Sequence, residues 1–189
     1  MIGALPRMLN VGGVDYPIRS DFRVILGIFE ALMDDELTDN DKALVCLKSL
    51  FFTFSDIPKE HLMEAAEKAN WFMDGGDMPK VKSDGIKSFD WKQDESILFP
   101  AINKVAGYET RSCKYLHWWT FLGFFNEIGE GLFSTVMHIR NKVQKGKKLD
   151  DQEKDILKTH RNFIYLYTDE ERAEIEETEA AINRIFGLD

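Results

Sequence analysis

The residues best equipped for chemistry are four histidines, His61, His117, His138 and His160, and two cysteines, Cys46 and Cys113. A di-iron site in a helical bundle needs Glu-x-x-His on two of its helices. The residues three places before the histidines are Pro58, Lys114, Thr135 and Leu157, none of them a carboxylate. No HExxH and no Cys/His cluster at zinc spacing occurs either. His61 has Glu60 and Glu64 nearby, an ordinary helix-surface arrangement. Neither cysteine belongs to a CxxC pair, and both lie in apolar stretches, so they read as buried thiols in a reducing compartment. The sequence has no GxSxG and no GxxxxGK[ST]. Gly129-Glu130-Gly131 imitates half of a dinucleotide fingerprint but sits between helical segments, where a hinge is the better reading. A Cys–His pair gets no support from the spacing. Carboxylates are plentiful, but acid–base work needs two held in one cleft, which a sequence does not show. The expectation is no catalytic residue, no metal site and no cofactor.

Charge narrows the partners. Twenty-four basic residues face thirty-three acidic ones, a net charge of −9, which disfavours nucleic acid because phosphate neutralisation needs clustered Lys and Arg. The one basic cluster, RNKVQKGKK from Arg140 to Lys148, has no interleaved aromatics. It reads as a helix C-terminus, where cations suit the dipole, followed by a solvated turn. The N-terminus, MIGALPRMLNVGG, lacks the charged and apolar regions of a signal peptide.

The most unusual stretch is YLHWWTFLGFFNEIGEGLF, Tyr115 to Phe133. Its apolar run, Leu116 to Phe125, is half of the ~20 residues a spanning helix needs and contains His117, so a membrane segment is not expected. Taken as one helix, Trp118, Leu122, Phe125, Gly129 and Leu132 share a face, and Phe121 and Phe124 widen the stripe. Such a helix belongs at the centre of a core. It can also feed a partner groove or line a small-molecule pocket. Tryptophans are favoured interface anchors, and Trp118, Trp119, Phe124 and Phe125 are the candidate partner contacts.

The elements around these residues are mostly helical. MLNVGGVDYPIRSD reads as a β-hairpin turning at Gly12-Gly13, with Pro17 limiting its second strand to an edge. Ser20 or Asp21 caps a helix carrying Phe22, Ile25, Leu26, Phe29 and Leu32 on one stripe. Thr38 with Asp41 caps the next, and Pro58 and Gly75-Gly76 bracket a third. Asp74 to Phe89, rich in Gly, Lys, Ser and Asp, reads as a mobile connector. A helix follows, capped by Asp90 or Asp94, with a kink or break expected near Phe99 because Pro100 lies inside it. Gly107 stops this helix and Gly146 a later one, and Asp150 with Glu153 and Thr168 with Glu171 start two more. The fold class is mainly α, a helical bundle-like domain with a short N-terminal hairpin. Its regions are 1–73, the connector 74–89 and 90–189, either two halves or one domain.

Three patches carry a family likeness: VDYPIRSDFRVIL (Val14–Leu26), ANWFMDGGD (Ala69–Asp77) and FDWKQDESILFPAINKVAGYE…YLHWWTFLGFF (Phe89–Phe125). In the last, an acidic DW…D…I helix leads to Leu116, His117, Trp118, Trp119 and Phe121, and Met137-His138-Ile139-Arg140 follows. The chain resembles the gene-product-fifteen family of tailed phages and prophages of Gram-positive bacteria, in order along most of its length and less so after about Asp150. The resemblance implies a tail assembly chaperone working in the host cytoplasm. Such a protein binds the long, aggregation-prone tape-measure protein, helps recruit tail-tube protein, and leaves before the tail is finished. It implies no catalytic residues. Self-association stays open. Two other readings also remain: a minor structural tail or connector protein of the virion, and a small ligand-binding or enzymatic protein built around His117.

Overall fold

The computed structural model describes residues 3–76 and 88–168, with isolated positions beyond 168. Strands β1 (Met8–Val11) and β2 (Val14–Pro17) pair antiparallel, with Leu9 opposite Tyr16 and Val11 opposite Val14. Gly12 and Gly13 have φ of +58° and +79°, the two positive values that a tight hairpin turn of right-handed strands requires. Leu9, Val11 and Tyr16 point into the core, while Met8 and Asn10 face out. Past Pro17 the chain stays extended and pairs with the end of a helix: the Phe52 N–H donates to Pro17 O (3.1 Å) and the Arg19 N–H to Leu50 O (2.8 Å).

That helix is α2 (Asp39–Leu50), which follows α1 (Phe22–Met33). Asp21 caps α1 through the Arg23 N–H, and Thr38 and Asp41 form the reciprocal capping box at α2. The orphan carbonyls at the other end of α2 are met by Arg19, whose Nη1 donates to Lys48, Ser49 and Phe51 O at 3.1, 3.0 and 2.9 Å. After Pro58 a short 3-10 turn leads into α3 (Leu62–Met73), closed by Gly75 and Gly76 at positive φ. The second half holds α4 (Glu95–Ala106), α5 (Trp118–Asn126), α6 (Leu132–Gln144), α7 (Asp151–Thr159) and the single turn α8 (Arg161–Ile164). The fold is mainly α with an N-terminal hairpin, the expected class. One hydrophobic core draws on both halves: Phe22 and Ile25 of α1, Phe72 of α3, Leu98 and Ile102 of α4, Phe121 of α5, Val136 and Ile139 of α6. Most of the expected connector, 77–87, lies outside the described residues, as does most of the last expected helix. At its start, the Thr168 N–H donates to the Glu171 carboxylate (2.8 Å) and the Glu171 N–H to Thr168 Oγ1 (3.2 Å).

Three local expectations are corrected. Helix α4 runs through Pro100 without a break. Proline removes the bond to the carbonyl four residues back, here Ser96, and both residues are solvent-exposed, so water can replace the lost donor. The aromatic stretch is not one helix: α5 ends at Asn126, and the hinge around Gly129 and Gly131 separates it from α6. The basic cluster is not wholly solvated either. Arg140 is buried and paired with Asp94, which sits at the N-cap of α4 but makes no side-chain capping bond.

Candidate functional site

The aromatic stretch is held by its own backbone before any side chain acts. The Phe22 N–H donates to Leu116 O (3.0 Å) and the Trp118 N–H to Ser20 O (2.8 Å), a short antiparallel bridge between the entries to α1 and α5. Asp21 reinforces it by accepting from the Leu116 N–H (3.0 Å) while capping α1. Arg23, paired with Asp21, reaches across to the Arg111 and Cys113 carbonyls. Before that, the 110–112 turn is fixed by Glu109. Its hydrogen bonds from the Arg111 side chain, with help from Asn103, hold its carboxyl down at about 2.

His117 is 3% exposed and caps α5. Its Nδ1 accepts from the Trp119 N–H (3.0 Å), so Nε2 carries the hydrogen and donates to Pro6 O (2.8 Å). Protonation would put a second N–H against the Trp119 amide. Burial, more than any neighbouring charge, lowers the His117 pKa below its usual 6.5. Both ring nitrogens are therefore engaged with backbone.

The tryptophan pair has a definite task. The Trp118 Nε1–H donates to Met73 O (2.9 Å) and the Trp119 Nε1–H to Phe72 O (2.8 Å). These carbonyls belong to the last turn of α3, which has no intrahelical donors left for its end. Two adjacent indoles thus cap a helix from the other half of the chain. Trp118 is 1% exposed and packs on Phe29, Trp91 and Phe121. Trp119 is half-buried between Trp71 and Phe72. Phe124 is half-buried beside the exposed Tyr108, and Phe125 is half-buried against Phe89, Trp91 and Phe133. Of the four candidate partner contacts, Trp118 could meet a partner only if α5 unpacked. Trp119, Phe124 and Phe125 each leave an edge at the surface.

The functional group that periodicity missed is Arg140. It makes a bidentate pair with Asp94 at 2.7 Å through each nitrogen. Its remaining hydrogens go to Ile164 O (3.1 Å), Ser88 O (3.0 Å) and Phe163 O. All five guanidinium N–H groups are thereby used, tying α4, α6 and α8 to the chain at Ser88. A basic cluster gives no sign of which member turns inward. The only available hint was Arg140 lying one residue from the buried Ile139 on α6. Among the described residues no group of three or more His, Cys, Asp or Glu is placed to hold a metal, and no helix is long and apolar enough to cross a membrane.

Fold and site together define a small, mainly α protein that spends its conspicuous aromatic and charged groups on joining its two halves. Comparison with family models is more particular: residues 1–166 match the model described as Bacteriophage Gp15 protein, and the chain belongs to that phage family. Neither the curated proteins nor the solved structures gave a match.

Proposed function

We propose that this phage protein is a tail assembly chaperone that binds the tape-measure protein, and in turn tail-tube protein, without doing chemistry of its own. Its membership of the family across residues 1–166 carries the reading. The state of His117 supports binding over catalysis, because a general base needs a free nitrogen and both of its nitrogens are bonded to backbone. A chaperone of this kind works in the host cytoplasm, recognises apolar helical segments, and leaves once the tail tube encloses the tape measure. Half-buried aromatics such as Trp119, Phe124 and Phe125 offer such segments an edge to pack on.

Co-expression with the tape-measure protein from the same locus tests this. Co-elution of the two on a sizing column, with the tape measure insoluble when made alone, is the expected result. The protein should also be missing from purified mature particles. Elution alone beside an insoluble tape measure would overturn the reading, and stoichiometric presence in particles would favour a structural tail component instead.

A further inference from the structure

A groove of about 270 Å³ lies where α2 passes α3 and the end of α1, lined by the apolar Leu32, Ala43, Cys46, Leu47 and Ala66 and the polar Asp39, Lys42 and Asn70. Small side chains at 43, 46 and 66 make the depression, and its volume suits one or two aliphatic side chains. The Cys46 thiol in its wall is pushed up to about 11 by burial, so this surface is apolar at neutral pH. Two large apolar side chains near it in sequence stand in solvent, Met33 at 59% and Leu44 at 40% exposure.

The segment joining α1 to α2 carries Asp34, Asp35 and Glu36, and the first turn of α2 adds Asp39 and Asp41, with no Lys or Arg between them. Asp34 accepts from the Glu36 N–H and Asp41 is used in the Thr38 capping box. None of the five has an ion-pair partner among the described residues. Among the described residues lining the groove, the one cation is Lys42. An apolar slot with Asp39 in its lining, and with Asp34, Asp35 and Glu36 in the short link between its Leu32 and Asp39, is complementary to one kind of ligand, a helix with an apolar stripe flanked by cations.

We propose that the groove between α2 and α3 docks a basic amphipathic helix, its aliphatic side chains entering between Ala43 and Ala66 and its Lys or Arg residues meeting the carboxylates of Asp34, Asp35, Glu36 and Asp39. This rests on the chaperone reading only in taking that helix from the client. Helix α2, of twelve residues, is about 18 Å long, enough to hold about three turns of the bound helix.

The test uses the full chain and two labelled synthetic helices, alike in their leucine stripe, one flanked by lysines and the other by glutamates. Fluorescence anisotropy should show the lysine peptide binding, more weakly as salt rises, and the glutamate peptide binding at least about tenfold less tightly. Ala43→Leu fills the slot from an exposed position and should weaken the lysine peptide about tenfold or more. Asp35→Lys with Glu36→Lys, in an exposed loop that the core does not need, should abolish the preference for lysine. Equal binding of both peptides, or full binding to Ala43→Leu, overturns the proposal. So does a concentration-dependent dimer that Ala43→Leu dissolves, because a second copy would then be the occupant. A wild-type chain that fails to co-elute with the tape measure counts against the chaperone reading, while the peptides still decide the groove. Full retention of the tape measure by Ala43→Leu counts against the groove alone.

Discussion

Replacing Arg140 by methionine should be among the most damaging single changes available in this chain. The guanidinium is 1% exposed and Asp94 is fully buried, so removing the cation leaves a carboxylate in the core with, among the described residues, only the Asp90 N–H donating to it (2.9 Å). Three carbonyls, of Ser88, Phe163 and Ile164, lose a donor in the same step. Breaking a buried pair from one side costs about 3–5 kcal/mol, a large fraction of the ~5–15 kcal/mol that holds a typical domain together. Asp94→Leu should do similar harm by stranding the arginine. The double variant, with neither charge present, should lose less than the sum of the two singles by about 1–3 kcal/mol. Urea unfolding followed by circular dichroism gives all four corners of this cycle. A loss below about 1 kcal/mol for Arg140→Met, or strict additivity, would refute the buried pair as a structural hub, since that is the behaviour of a solvated surface contact.

His117 makes stability depend on pH in a defined direction. Its folded pKa lies below 6.5, so the unfolded chain takes up the proton first. Stability should be level above pH 6.5 and fall as pH drops from 6.5 towards the folded value; His117→Asn, which keeps a capping oxygen, should lack that fall in urea titrations. Losses from paired carboxylates such as Glu109, held at about 2, and Glu153, lowered by Lys142, should come only at more acid pH. Gly12→Ala should cost about 1–2 kcal/mol, because φ is +58° and the new Cβ would stand 2.8 Å from the His61 ring. Gly13→Asn should be nearly neutral, since nothing lies within 4 Å there and Asn tolerates positive φ; thermal melts compare the two. Trp119→Phe should cost about 1 kcal/mol for one lost hydrogen bond, and Trp118→Phe about 1–3 kcal/mol because its carbonyl partner is left without that donor in the core, again read by urea unfolding.

The parts of the fold legible in the sequence were those set by local rules. Gly12-Gly13 marks the hairpin, Thr38 with Asp41 and Asp150 with Glu153 mark helix starts, and both capping boxes are present. The stripe of α1 followed from its spacing, although Ile28, one of its buried residues, fell outside the expected set. What stayed illegible was tertiary. Nothing near Trp118 and Trp119 says that the indoles reach back to cap α3, a contact between positions more than forty residues apart in the chain. Asp94 looks like a helix cap from its position, and Arg140 like part of a solvated cluster. Only their burial reveals the pair. Pro100 is tolerated because it faces water, which depends on which side of α4 meets the core. Trp118, Trp119, Phe124 and Phe125 stand out as partner contacts by residue type, and type does not tell a tryptophan that binds a partner from one that caps a neighbouring helix.

The chaperone reading is tested most directly by diluting denatured tape-measure protein into buffer and following light scattering. Added at equimolar amounts, this protein should suppress the scattering and leave the tape measure in solution. Scattering that rises as fast with it as with an unrelated acidic helical protein would contradict the account.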